Sequence, residues 1–179
     1  MLDVDGMTCW PSMYLLIGFR SILIQQNDGT TGAFDQNWAV YKSGFGDLEG
    51  NFWIGNENLH QLTKNGGCTL RVDVWPVNTG TIWLWSEYSK FVIGDEASGY
   101  LFGNGAWIGG TLDDALFLSG AQFITKDRGQ YSYNIAGWQC GFWFGPYFRV
   151  RINCYQLNFM IYSGQWWNLQ QSRMSLFCQ

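Results

Sequence analysis

The sequence predicts an α+β domain built on a mainly antiparallel twisted sheet with few short helices. Three observations carry this prediction. Strand-like runs are short and end at turn residues. Helix signals are shorter still and sit apart from the strands, with no alternating βαβ pattern. Aromatic residues make up 18% of the chain and charged residues only 13%, against a usual charged share of about 25%. That balance excludes a disordered chain. With 23 Gly, 3 Pro and no period of three, a collagen-like repeat is excluded too.

Ser21–Gln26 (SILIQQ) reads as a strand ended by the turn Asn27-Asp28-Gly29. Asp35 is placed to cap a short helix over Gln36–Ser43, with Trp38 and Tyr41 on one face and Gly44 as the stop. Asn51–Ile54 reads as a strand, and Asn56 as the cap of a second helix, Glu57–Thr63. Thr69–Val74 alternates, with Leu70, Val72 and Val74 inward and Arg71 and Asp73 outward. Thr81–Ser86 and Lys90–Ile93 read as two further strands. Trp83 and Trp85 share one face of the first of these and Ile82 and Leu84 the other, which predicts an exposed aromatic surface. After Gly94 the chain turns to Gly, Asn and aromatics in long loops. There is no internal repeat and no linker, so residues 1–179 are expected to form a single domain.

The net charge of −4 and 10 scattered basic residues exclude a nucleic-acid partner. The longest apolar stretches, Met13–Phe19 and Cys140–Phe148, are too short for a membrane span and contain Gly or Pro. Met1–Gly6 carries two Asp where a secretory leader would carry Lys or Arg. The five cysteines have no CxxC spacing, which leaves zinc and thioredoxin-type chemistry unsupported. Cys140 and Cys154 are the foremost candidate pair, closing a loop of about 15 residues worth roughly 3 kcal/mol; five buried thiols in a reducing compartment are the alternative, and spacing does not separate the two. An enzyme is not expected. His60, the sole histidine, has no nucleophile motif beside it.

The run NWAVYKSGFGDLEGNFWIGNENLHQLT, ending at Thr63, is followed by TLRVDVW (Thr69–Trp75), YSKFVIGDEA from Tyr88, FITKDR (Phe123–Arg128), SGQWWNL from Ser163, and Arg173-Met174. This ordered series closely resembles the fibrinogen C-terminal domain family, the fold of ficolins, tachylectins, angiopoietins and the tenascin globe. The match runs from about Ile24 to Met174 and marks a divergent member. The resemblance implies a fibrinogen-like fold with a loop-rich C-terminal ligand subdomain, its N-terminal part missing or degenerate here. Family members usually carry a coiled-coil or collagen-like arm ahead of this domain.

The resemblance also implies two functional features. The first is a calcium loop after the T-x-D motif, where Asp127 matches the first carboxylate ligand. Gly129 stands at the second acidic position, and Gln130-Tyr131-Ser132 replaces the Asn-Asp pair. Asp127 with backbone carbonyls, such as those of Tyr131 and Tyr133, would make a weak calcium site. The second is an acetyl-group pocket at Asn153, Cys154 and Tyr155, beside an unusual peptide bond and with Cys140 as disulfide partner. Tyr155 replaces the family's His and can donate a hydrogen bond but cannot become cationic. The chain is short between Asn158 and Ser163, where the family has a longer loop.

Cys9 resembles the second Cys of a family disulfide whose partner lies upstream. Its pairing with Cys68, Cys178 or another chain stays open, and the family suggests no partner for Cys68 or Cys178. The function implied is an extracellular, secreted, non-catalytic recognition module: a carbohydrate- or acetyl-group-binding lectin of the ficolin type. The alternative is a structural or assembly subunit that has lost calcium and sugar binding and holds protein partners in a homo- or hetero-oligomer. Trp143, Trp166 and Trp167, with Phe142, Phe144, Tyr147 and Phe148, are expected to form a second aromatic cluster in the ligand half, suited to sugar stacking or protein contact.

Overall fold

The computed structural model describes residues 21–30, 32–77, 82–103, 105–112, 114, 119–129, 139–144, 150–154, 158–160 and 166–178, with backbone alone at 150, 158–160 and 166. Cys9, Tyr131, Tyr133, Trp138, Tyr147, Phe148 and Tyr155 lie outside the described residues.

Strand β1 (Ser21–Asn27) is followed by helix α1 (Trp38–Ser43), β2 (Phe45–Gly46), β3 (Phe52–Trp53) and helix α2 (Asn56–Thr63). Next come β4 (Cys68–Pro76), β5 (Leu84–Ile93), a 3-10 turn at Glu96–Ser98, β6 (Phe102–Gly103) and β7 (Trp107–Gly110). The chain continues with β8 (Phe123–Ile124), β9 (Phe142–Trp143), β10 (Val150–Arg151), β11 (Asn158–Met160) and β12 (Trp166–Cys178). The main sheet runs β2-β3-β1-β12-β4-β5-β6, with β7 on β5 and the β10–β11 pair joined to β12. β8 and β9 form a separate pair, and every strand pairing described is antiparallel.

Several local expectations are corrected. α1 begins at Trp38 and is capped by Asn37, whose side chain accepts from Val40 N–H. Asp35 is instead drawn into an ion pair with Lys126 at 2.9 Å. α2 is entered through Gly55 at φ 102°, a left-handed conformation open to glycine. Asn56 is fully buried, and its Oδ1 accepts from the Trp53 indole rather than capping the helix. The two strands expected around Ser86 and Lys90 are one strand, β5. Its pairing with β4 shifts register where Lys90 takes φ 48°, so the irregularity is a bulge and not a break. β12, 13 residues long and central in the sheet, has no counterpart in the sequence reading.

Disulfides Cys140–Cys154 and Cys68–Cys178 are both present. The second joins directly paired residues of β4 and β12, with Cα atoms 4.1 Å apart.

The core lies between the sheet and the helices and is largely aromatic. Trp143 packs against Phe123 at 4.9 Å, Phe102 at 5.2 Å and Trp53 at 5.8 Å between ring centroids. Its indole N–H donates to Tyr100 O at 2.6 Å. Trp143 and Phe142 are fully buried and Phe144 nearly so. The second aromatic cluster is therefore corrected: these three rings fill the core and present no surface. Ring content cannot distinguish the two roles, because large rings dominate cores and interfaces alike.

Arg71 and Asp73 point to the outer sheet face, as alternation requires, yet both are buried. The rings of Trp83 and Trp85 cover them, with the Arg71 guanidinium 5.3 Å and 4.4 Å from the two ring centroids. Trp83 and Ile82 remain exposed beside this cover.

Candidate functional site

Residues Ile152–Cys154 form a buried turn directly after β10, a strand that pairs with β11 alone among the described residues. Asn153 is buried, with its Nδ2 donating to Gly141 O at 3.0 Å and its Oδ1 accepting from Gln25 Nε2 at 2.9 Å. Gln25 lies on β1, where a bulge between Leu23 and Gln25 brings both Ile24 and Gln25 under cover. Its amide also donates to Ser172 Oγ on β12 at 2.9 Å, and that hydroxyl donates to Ile152 O at 2.9 Å. Asn27 Nδ2 reaches the same carbonyl at 3.3 Å. Cys154 is buried and bonded to Cys140, with Cα atoms 4.6 Å apart. Peptide bonds among the described residues are trans, the one between Asn153 and Cys154 included. The expected unusual bond is not found on that side of Cys154, and the bond from Cys154 to Tyr155 lies outside the described residues.

Gly141 is gripped from both ends. Its carbonyl accepts from Asn153, and its N–H donates to Tyr41 Oη at 2.9 Å. The Tyr41 hydroxyl in turn donates to Phe34 O at 2.8 Å. A Cβ on Gly141 would stand 2.6 Å from the Tyr41 ring, so glycine is required by the close approach. Burial pushes the Tyr41 phenol far above its ordinary range, so it stays a neutral donor and acceptor.

The predicted calcium loop attaches to the same short helix as Tyr41, α1. Asp127 Oδ1 accepts from Trp38 N–H at 2.9 Å and from Thr125 Oγ1 at 2.7 Å, serving the first turn of α1. Lys126 reaches Asp35, and Arg128 Nη1 reaches Glu96 Oε1 at 3.0 Å. The Arg128 guanidinium also lies over the Trp38 ring, 4.0 Å from its centroid. Among the described residues, no three His, Cys, Asp or Glu come together as a metal-binding group. The pairing of Phe123 with Trp143 and Ile124 with Phe142 ties this loop to the disulfide loop. Helix α1 therefore anchors both predicted features, Asp127 at its N-terminus and Gly141 through Tyr41.

Glu96 is a hub on this side. It accepts from Lys42 Nζ at 2.6 Å, Trp38 Nε1 at 2.8 Å and Arg128. The bonds from Lys42 and then Trp38 hold its carboxyl down from 4.5 to about 2. A carboxyl with a lowered folded-state pKa contributes stability above its unfolded value and loses it as pH falls through the folded value. The expected result is an acid limb in the melting temperature between pH about 4.5 and about 2. Glu96→Gln should flatten that limb in a series of thermal melts against pH.

Asn153, Cys154, Cys140 and Asp127 thus all sit near one helix, while Tyr155 lies outside the described residues. Sequence reasoning missed Gln25, Tyr41 and Gly141. Gly141, next to Cys140, was the available signal; a glutamine in a strand gives none.

The family whose profile matches is described as "Fibrinogen beta and gamma chains, C-terminal globular domain", over residues 17–177. The chain is 39% identical to Fibrinogen-like protein A of Apostichopus parvimensis over 118 residues, 66% of this chain and 41% of that protein. It is 34% identical to human Ficolin-3 over 136 residues, 72% of this chain and 44% of that protein. The chain therefore spans less than half the length of these relatives. Among solved structures, the fibrinogen-like globe domain of human ANGPTL6 matches with a TM-score of 0.73 at 25% identity, covering 88% of this chain and 77% of that one. The lamprey fibrin D-dimer complexed with the peptide Gly-His-Arg-Pro-amide matches in fold with a TM-score of 0.72 at 21% identity, covering 87% and 60%.

Proposed function

Because this chain belongs to the family of fibrinogen C-terminal globular domains, we propose that it is a secreted, non-catalytic recognition module that binds carbohydrate or acetylated ligands as ficolin-type lectins do. The observation that supports this most is the mounting of the Cys140–Cys154 loop. Asn153 and Gly141 hold each other across the disulfide, and Gln25 and Tyr41 hold both against the core. A ligand loop fixed in this way loses little conformational freedom on binding, which favours affinity. Tyr155, next in sequence to the fixed Cys154, supplies a ring and a hydroxyl for an acetyl group or sugar. The likeness to human Ficolin-3 supports the same reading. A non-catalytic role fits His60, whose Nδ1 lies 2.8 Å from Ile93 O and is engaged in fold contacts.

Calorimetry with N-acetylated sugars tests the proposal. Binding is expected, and Tyr155→Ala is expected to weaken it by about tenfold or more, the loss of roughly 1.4 kcal/mol or greater, with little change in melting temperature. Absence of binding to any N-acetylated sugar by the wild-type protein removes the lectin reading.

The second reading, a homo- or hetero-oligomeric assembly subunit, is favoured by the outer sheet face, where Trp83 stays exposed over Arg71 with exposed Ile82 next to it in sequence. Sedimentation at increasing concentration distinguishes it, since assembly through that face should be weakened by Trp83→Ser.

A further inference from the structure

Residues Thr125–Gly129 stand where the resemblance places a calcium ion, but Thr125, Lys126, Asp127 and Arg128 each make a side-chain bond within the protein. Asp127, the one carboxylate among them, spends Oδ1 on the Trp38 N–H and the Thr125 hydroxyl. Its two neighbours are cations, Lys126 and Arg128, so the three residues together carry a positive formal charge where calcium requires anionic oxygens. Gly129, at the position of the missing second acid, has φ 113°. A Cβ built there would stand 3.1–3.3 Å from Ile124 atoms. Both the backbone conformation and the space therefore disfavour an aspartate at 129.

We propose that protein charges take the place of the metal in this chain. Lys126 on Asp35, Arg128 on Glu96 and on the Trp38 ring, and Asp127 on the Trp38 N–H clamp the loop to α1. The loop keeps its shape without calcium. Because β8, which leads directly into this loop, pairs with β9, the geometry handed to the disulfide loop is also independent of the metal. This goes beyond the recognition reading and holds whether the partner is a sugar or a protein.

Two measurements on the whole chain test the proposal. Thermal melts in chelator and in excess calcium should coincide, and terbium should give no sensitised emission from the nearby Trp38. A site saturated at about 100 times its dissociation constant would instead raise the melting temperature by roughly 5–10 °C, and that shift, or terbium emission, overturns the proposal. The clamp is read by hydrogen exchange at the Trp38 and Arg128 amides, which donate to Asp127 and to Thr125 O. Glu96→Gln should speed their exchange about two- to tenfold, the range expected when a charge-assisted contact is removed from an exposed network. Unchanged protection in the Gln variant shows that the charges do not hold the loop and overturns the clamp.

Discussion

Replacing Arg71 with alanine is expected to destabilise the domain by about 3–5 kcal/mol, measured by urea denaturation. Arg71 Nε donates to Asp73 at 3.0 Å, and its Nη1 donates to Glu87 at 3.0 Å. Trp83 Nε1 donates to the same Asp73 oxygen at 2.7 Å while its ring shields the guanidinium. The side chains of Arg71 and Asp73 are only 5% and 9% exposed. Truncation would leave Asp73 under cover with one neutral donor and with Arg173, whose positive charge acts on it from β12. Leaving a buried charge partly uncompensated is the costly outcome; the presence of Arg173 puts the expected loss near the lower end. Arg71→Met combined with Asp73→Leu should cost less than either single change, because it removes both desolvation penalties together. A double-mutant cycle checks this sign.

Loss of the Cys68–Cys178 bridge is the second large effect. The bridge spans 110 residues, for which the loop-entropy argument gives on the order of 4–5 kcal/mol, against roughly 3 kcal/mol for a loop near 15 residues such as that of Cys140–Cys154. At about 2–4 °C per kcal/mol for a domain of this size, the Cys68→Ser/Cys178→Ser protein should melt roughly 10–15 °C below the wild type by calorimetry without reductant. The Cys140→Ser/Cys154→Ser protein should lose less stability, with its effect felt more at the ligand loop. A reversed order would show that the unfolded chain is not constrained as loop length implies.

The parts of this architecture legible in the sequence are those where local pattern and tertiary need agree. Leu70, Val72 and Val74 alternate cleanly because one face of β4 packs on the core. Trp38 and Tyr41 are spaced for one helix face and are buried on it. β12 was illegible because a register shift between Leu169 and Gln171 breaks its alternation, because Ser172 takes a core-facing position, and because Ser175, paired with Arg71 on the outer face, is buried as well. Serine marks a turn by propensity, yet here it is buried beside Gln25 or in the sheet. Asp35 and Asn56 were plausible caps, but ion pairing to Lys126 and bonding to the Trp53 indole won in three dimensions. At the candidate site, the Cys140–Cys154 pair was legible through the family resemblance, since spacing alone left free thiols open. Gln25 was not: an amide in a strand reads as solvent-facing, and only the bulge in β1 turns it onto Asn153.

The central place of β12 has a consequence for how the protein is made. Among the described residues β1 and β4 pair with β12 and not with each other, and Cys178 leaves the ribosome 110 residues after Cys68. At about 5–20 residues per second, the nascent chain waits roughly 5–20 s with two long strands open along their inner edges. Such edges invite pairing with other chains. The inner edges of β1 and β4 therefore stay unpaired until β12 is made, and a truncation before Trp166 is expected to leave an aggregation-prone half-sheet rather than a smaller stable domain.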